Sequence, residues 1–154
     1  MDFFELHELV DKPTWERLGE NSIWMLNQKA VDGLIALRIA LDKPITVNNY
    51  FWGGNLSNRG YRSIYSTVGG KFSQHRVGNA FDINVKGMTP DQVYDYILDN
   101  YKAFGITTIE HKSFTPTWSH IDFRTTNEST IKIVNPWVKL KSFSTAKQGR
   151  RLNQ

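Results

Sequence analysis

The sequence contains no cysteine among its 154 residues. This excludes disulfide bonds, thiolate zinc sites, iron–sulfur clusters and a cysteine nucleophile. Long apolar runs are also missing, because the longest candidate, residues 30–41, is interrupted by Asp32, Gly33 and Arg38. It is shorter than the roughly 20 residues that cross a bilayer. Residues 1–9 lack Lys and Arg, so we expect neither a membrane span nor a secretory signal.

Acidic residues are missing from the C-terminal end, where residues 138–154 carry five basic side chains. The formal net charge of +4 therefore originates in this segment. A basic tail can attract nucleic acid or another polyanion, such as an anionic cell-wall polymer. The alternative is a solvated, mobile terminus. The remaining composition, 40% hydrophobic and 13% aromatic, excludes a disordered chain and predicts a single domain over residues 1–137.

Hydrophobic periodicity predicts two main helices. The first begins near Ser22 or Asn27 and ends at Leu41, and the second begins at Thr89-Pro90 and ends near Lys102. Between them, residues 51–71 are rich in Gly, Ser and Asn and predict a long loop. The candidate strands are residues 45–50, 80–85, 107–110, 118–124 and 130–134. We predict an α+β fold with a small, mainly antiparallel sheet and helices packed on one side.

Two of the four histidines stand near aspartates in segments that precede or form predicted strands. His75 precedes Asp82 by seven residues, and His120 precedes Asp122 by two. Taken alone, the first pair is typical of a surface contact, and a histidine on an apolar strand is typical of a core residue. Taken together, two histidines and one carboxylate match the three protein ligands of a catalytic zinc site.

The segment Ser73-Gln74-His75-Arg76-Val77-Gly78-Asn79-Ala80-Phe81-Asp82 resembles the first motif of the zinc D-alanyl-D-alanine carboxypeptidase and L-alanyl-D-glutamate endopeptidase family. That family shares a superfamily with lysostaphin-type enzymes and the hedgehog domain. Every fixed position of its Ser-x-His-x-x-Gly-x-Ala-x-Asp pattern is filled here. Gly60-Tyr61-Arg62 is similar to a segment upstream of that motif. His120 fits the later histidine, most closely in the subgroup with His-x-Asp.

The resemblance implies a role for each matched residue. His75, Asp82 and His120 would hold Zn²⁺, which would activate water and polarise the scissile carbonyl. Arg62 would stabilise the oxyanion or bind a substrate carboxylate, the alternative being a structural salt bridge. Ser73 would hydrogen-bond substrate or a ligand, the alternative being a turn. Gly78 and Ala80 would be small because the backbone packs tightly beside the site.

The sequence departs from the family where many members place the catalytic acid/base. Those positions, two and three residues before the last histidine, are here Trp118 and Thr117, which cannot transfer the proton. Asp122 is one candidate, because residues two apart on a strand share a face, although it is equally suited to orienting a ligand histidine. Glu110 is a second candidate, but one residue of strand register decides whether it faces His120.

The resemblance implies a peptidase that cuts the stem peptide or cross-link of bacterial peptidoglycan. Its setting would be a phage lysin or a wall hydrolase carried by the virion. It would then be located in the host cytoplasm before release to the wall, or in the particle. The alternative is a catalytically silent metal-binding domain that contacts phage structural proteins. A nucleic-acid binder using the basic tail ranks last, because it explains nothing about residues 60–124.

Overall fold

The structure is a computed structural model that describes residues 3–135. Two short N-terminal helices precede two longer ones. Gly19–Met25 and Gln74–Val77 form 3₁₀ turns. The four helices are α1 (Leu6–Leu9), α2 (Lys12–Leu18), α3 (Gln28–Leu41) and α4 (Pro90–Phe104). The five strands are β1 (Ile45–Thr46), β2 (Ala80–Val85), β3 (Thr108–Glu110), β4 (Ser119–Asp122) and β5 (Lys132–Val134).

The strands form one sheet in the order β1-β2-β4-β3-β5. All neighbouring pairs are antiparallel except β3 and β5, which run parallel. Helices α3 and α4 contact each other, and α4 also contacts β2 and β4. Their apolar sides and the sheet enclose a single core whose most deeply buried members include Leu34, Leu37, Phe81, Ile97 and Ile121. The α+β prediction, with its mainly antiparallel sheet, is confirmed.

The helix boundaries follow capping residues visible in the sequence. Asn27 accepts a hydrogen bond from the Lys29 backbone and starts α3, so the earlier start at Ser22 is wrong. Ser22 belongs to the 3₁₀ turn instead. Thr89 and Gln92 form a reciprocal capping box at the start of α4. These side chains satisfy backbone N–H groups that a helix end otherwise leaves unpaired.

The predicted strand over residues 45–50 is too long, because only Ile45–Thr46 pair with β2. Beyond β1, Asn48 donates to the Val10 carbonyl and accepts from the Arg59 backbone. Asn49 accepts from the Leu56 backbone. These side-chain bonds replace strand pairing, as is common for asparagine. The predicted basic tail, residues 138–154, lies outside the described residues.

Candidate metal centre

A sharp turn brings His75 next to the strand that carries Asp82. Gly78 ends the 3₁₀ turn at φ +69°, in the left-handed region that favours glycine. A Cβ at this position would lie 2.2 Å from the Met25 carbonyl oxygen. The Gly78 carbonyl also accepts from the Asn27 backbone at the start of α3. Close backbone packing therefore requires glycine here, as the motif predicts.

Strand register brings Asp82 and His120 together. Asp82 on β2 is directly opposite His120 on β4, and opposed residues of antiparallel strands project to the same face. Asp82 Oδ1 lies 2.7 Å from His120 Nδ1 and 3.4 Å from His75 Nε2. The two histidine nitrogens are 3.3 Å apart. One ligand atom from each of the three buried residues thus converges on a common point.

The second polar atom of each of these three side chains has a partner of its own. His75 Nδ1 lies 2.8 Å from the Gly60 carbonyl oxygen, which can only accept, so Nδ1 carries the proton and Nε2 presents a lone pair. Asp82 Oδ2 accepts from Arg62 at 2.7 Å. His120 Nε2 lies 3.5 Å from Asp122 Oδ2. Outer partners of this kind orient metal ligands.

The electrostatics of the three side chains favour a cation at the point where they converge. Burial lowers the pKa of His75. Burial also opposes charge on His120, but the carboxylates of Asp122 and Asp82 outweigh it and raise its pKa to about 10. The pKa of Asp82 is held well below its usual range by both histidines, although burial opposes this. These directions favour a single proton among the three converging atoms, and a divalent metal with nitrogen and oxygen ligands would replace it.

A cleft of about 590 Å³ opens above these residues. Glu110 lines it and is half-buried at the end of β3. Because Thr108 is opposite Asp122 and Ile109 opposite Ile121, the next step in this register places Glu110 opposite His120. The carboxylate therefore belongs to the row Asp82–His120–Glu110 across three strands. Burial raises the pKa of Glu110, and the positive charges of His120 and Arg62 oppose that rise.

Asp122, the other candidate acid/base, is fully buried and does not line the cleft. Both of its oxygens accept hydrogen bonds from the Arg124 guanidinium. Together with the contact to His120 Nε2, this arrangement suits orientation of the imidazole. His111, which follows Glu110 in the sequence, hydrogen-bonds Ser113 at 2.8 Å and does not line the cleft.

Arg62 and Ser73 both line the cleft. The Arg62 side chain is only 10% exposed, and its guanidinium donates to Asp82 and to the Asn58 carbonyl. These contacts match the alternative role of Arg62 as a structural salt bridge. A direct contact between Arg62 and substrate stays a prediction. Ser73 precedes the 3₁₀ turn, and its side chain makes no capping hydrogen bond there.

The sequence analysis did not predict several residues that fix the side chains of the site through hydrogen bonds. Asp11 is buried and accepts from the backbones of Thr14 and Ser63, which ties α2 to the segment carrying Arg62. The Gly60 carbonyl fixes His75, and the Arg124 guanidinium fixes Asp122. The Asp-Lys-Pro start of α2 predicts a cap at Asp11. No pattern in the sequence indicates its second, long-range bond.

Within residues 3–135, none of the helices has the length and apolar character that crossing a membrane requires. Comparison with known families finds a match to the Peptidase M15 model over residues 4–122. No curated protein and no solved structure matches the chain. The family match spans the helices, the glycine turn and all three members of the His75, Asp82 and His120 group, and it confirms the resemblance seen in the motif. The chain belongs to the Peptidase M15 family.

Proposed function

We propose that this protein is a zinc peptidase that hydrolyses a peptide bond in the stem peptide or cross-link of bacterial peptidoglycan. Membership of the Peptidase M15 family supports the reaction and the substrate class. The observation that carries the proposal is the convergence of His75 Nε2, Asp82 Oδ1 and His120 Nδ1 at the base of an open cleft.

The donor set suits zinc for two reasons. Zinc takes imidazole and carboxylate ligands, and a catalytic site uses three of them and leaves a further position free. The outer contacts of His75 and His120 keep the inner nitrogens available as lone pairs when both rings are neutral. When bound, zinc supplies a Lewis acid that polarises a carbonyl and acidifies water.

Glu110 is our choice for the general base. It lines the cleft in the row that contains Asp82 and His120, whereas Asp122 is buried beneath them and held by Arg124. A Glu110 carboxylate oxygen would take one proton from the attacking water while the water oxygen bonds to the scissile carbonyl carbon. Glu110 would then return that proton to the amide nitrogen as the C–N bond breaks.

Arg62 and Asp122 act as positioning residues in this proposal. Arg62 fixes the outer oxygen of Asp82 and leaves Oδ1 directed at the convergence point. Asp122 fixes the outer nitrogen of His120. Both contacts limit the rotation of buried ligands, which maintains the geometry that catalysis needs.

A catalytically silent metal-binding domain is the second candidate. It is favoured by Thr117 and Trp118 in the positions where many family members carry the acid/base. Trp118 also lines the cleft, with the Arg59 guanidinium 5.6 Å from its ring centre. The two candidates differ in one respect, which is whether Glu110 replaces the missing group from the neighbouring strand.

We further propose a phage setting, as a lysin released from the host cytoplasm to the wall or as a virion-associated hydrolase. This setting is supported by the resemblance alone. Contact between the basic tail and a polyanion is a separate proposal. Deleting residues 138–154 would reduce salt-sensitive retention on isolated cell walls if that contact exists, and unchanged elution would remove it.

Mass spectrometry of purified muropeptides tests the enzyme. The zinc-loaded protein is incubated with the substrate, with and without a chelator. A chelator-sensitive product establishes the peptidase, and the mass lost identifies the bond. A folded, zinc-loaded protein that gives no product supports the silent domain instead.

A further inference from the structure

Two guanidinium groups line the cleft, and they differ in how much of each is available. Arg62 is 10% exposed and is engaged by Asp82 and the Asn58 carbonyl. The Arg124 side chain is 33% exposed. Arg76, close by in sequence to His75, donates to the backbone carbonyls of Ser63 and Ser66 and so supports the loop. Arg124 is therefore the cleft-lining cation with an accessible charge.

Arg124 is held in place by one edge of its guanidinium. The Nε and Nη2 groups donate to the buried Asp122 carboxylate, and the Thr107 hydroxyl donates to the Arg124 backbone carbonyl at 2.6 Å. In the described part of the chain, Nη1 donates to no protein acceptor. The contacts to Asp122 fix the orientation of the guanidinium. The Nη1 group and the second hydrogen of Nη2 form the opposite edge, which can donate to a group bound in the cleft.

We propose that this edge of Arg124 is a subsite for a substrate carboxylate. The inference rests on the proposed function and adds that the preferred peptides carry a free carboxylate near the scissile bond. A guanidinium offers a planar pair of donors that matches a carboxylate, and it can serve two carboxylates through two edges. Asp122 occupies one edge, and the substrate would occupy the other.

The carboxylates of a stem peptide with this chemistry include the C-terminal carboxylate of D-Ala and the α-carboxylate of D-Glu. The same site would accept either one, and the choice determines on which side of the bond the peptide is anchored. Three synthetic peptides separate them: the free acid, its C-terminal amide, and the peptide amidated at D-Glu. Amidation removes the negative charge while keeping size almost unchanged.

The test measures KM and kcat for the three peptides with zinc-loaded wild-type, Arg124→Gln and Arg124→Lys proteins. In the wild type, one amidation should raise KM about 10- to 100-fold, as expected for loss of a charge-assisted pair. Arg124→Gln should abolish this acid-over-amide preference, and Arg124→Lys should keep part of it. Arg17→Gln, an exposed arginine on α2, is the matched control and should keep the full preference.

Loss of Arg124 also releases Asp122 from its partner, which would lower kcat for all three peptides equally. The preference ratio is unaffected by that loss and so reports the subsite alone. A wild type that cleaves acid and amides equally well, or an Arg124→Gln protein that keeps the preference, would overturn the subsite. If no peptide is cleaved, the proposed function fails, and calorimetric binding of the same three peptides still decides the role of Arg124.

Discussion

Asp82 and His120 are directly opposed on strands β2 and β4, and their facing atoms, Oδ1 and Nδ1, are 2.7 Å apart. The contact links residues 38 positions apart in sequence. It depends on register, because a slip of one residue would turn either side chain to the other face of the sheet. Two further pairs hold that register. Phe81 is opposite Ile121 in the core, and Ala80 is opposite Asp122 at the end of the paired strands.

Removing any one of the three converging side chains should abolish metal uptake and activity. Asp82→Ala, His75→Ala and His120→Ala each leave two donors where a zinc site needs three. We expect bound zinc to fall from about one ion per molecule to near zero, measured by mass spectrometry of the dialysed protein. Retained activity in a zinc-free His75→Ala protein would contradict the metal assignment.

Glu110→Gln should lower kcat by about 100- to 10,000-fold, which is the usual contribution of a general base. The change keeps the size of the side chain and removes its ability to accept a proton at neutral pH. Zinc content should be unchanged, because Glu110 is outside the ligand group. The exposed Glu16→Gln on α2 is the matched control. Normal turnover by the Glu110→Gln protein would exclude it as the base.

Asp122→Asn should lower the affinity for zinc rather than remove the proton-transfer step. The carboxylate orients His120 through Nε2, and it is itself buried and hydrogen-bonded by Arg124. Outer partners of this kind typically change metal affinity about 10- to 100-fold. Competition with a chromogenic chelator measures the change. Unchanged zinc affinity together with a lost kcat would instead assign the proton transfer to Asp122.

Gly78→Ala should destabilise the fold more than Gly87→Ala. Both glycines have positive φ, +69° and +77°, but only Gly78 packs against a neighbouring backbone. Gly87→Ala should cost about 1–2 kcal/mol for the strained conformation. Gly78→Ala adds overpacking of about 1–3 kcal/mol. Urea denaturation compares the two, and equal losses would show that the Met25 contact is not limiting.

The motif residues could be placed from the sequence because the spacing from Ser73 to Asp82 encodes a local turn followed by a strand. The seven-residue separation of His75 and Asp82 is bridged by Gly78, whose role depends on local geometry. His120, the proposed third ligand, was found through the family pattern. Periodicity also located α4 and β2 with nearly correct ends, since capping and burial are local properties.

The choice between Glu110 and Asp122 as the candidate base could not be made from the sequence. Glu110 joins the row with His120 only because β3 and β4 pair in one of several registers. The engagement of Arg62 by Asp82 joins residues 20 positions apart in sequence, and no periodicity encodes it. The parallel β5 is a third case, because strand direction depends on the path of the loop that connects it.

The metal-free protein should be most stable near pH 6.5, because its two site histidines have pKa values shifted in opposite directions. In the unfolded chain both titrate near 6.5. In the folded chain burial lowers the pKa of His75, whereas His120 keeps its proton up to about pH 10. Below pH 6.5 the unfolded state binds more protons than the folded state, so stability rises with pH. Above 6.5 the folded state binds one more, so stability falls until pH 10.

A plot of unfolding free energy against pH should therefore have a rising acid limb and a falling alkaline limb. Each limb should have a slope of up to about 1.4 kcal/mol per pH unit, the value for one proton. Urea denaturation of the metal-free protein at pH 5, 6.5 and 8.5 measures both limbs. His120→Gln should remove the alkaline decline and keep the acid limb, because His75 remains. Bound zinc should do the same, since it takes the place of the His120 proton. An alkaline decline that persists in His120→Gln would assign it to other groups and leave the single-proton description of the site without support.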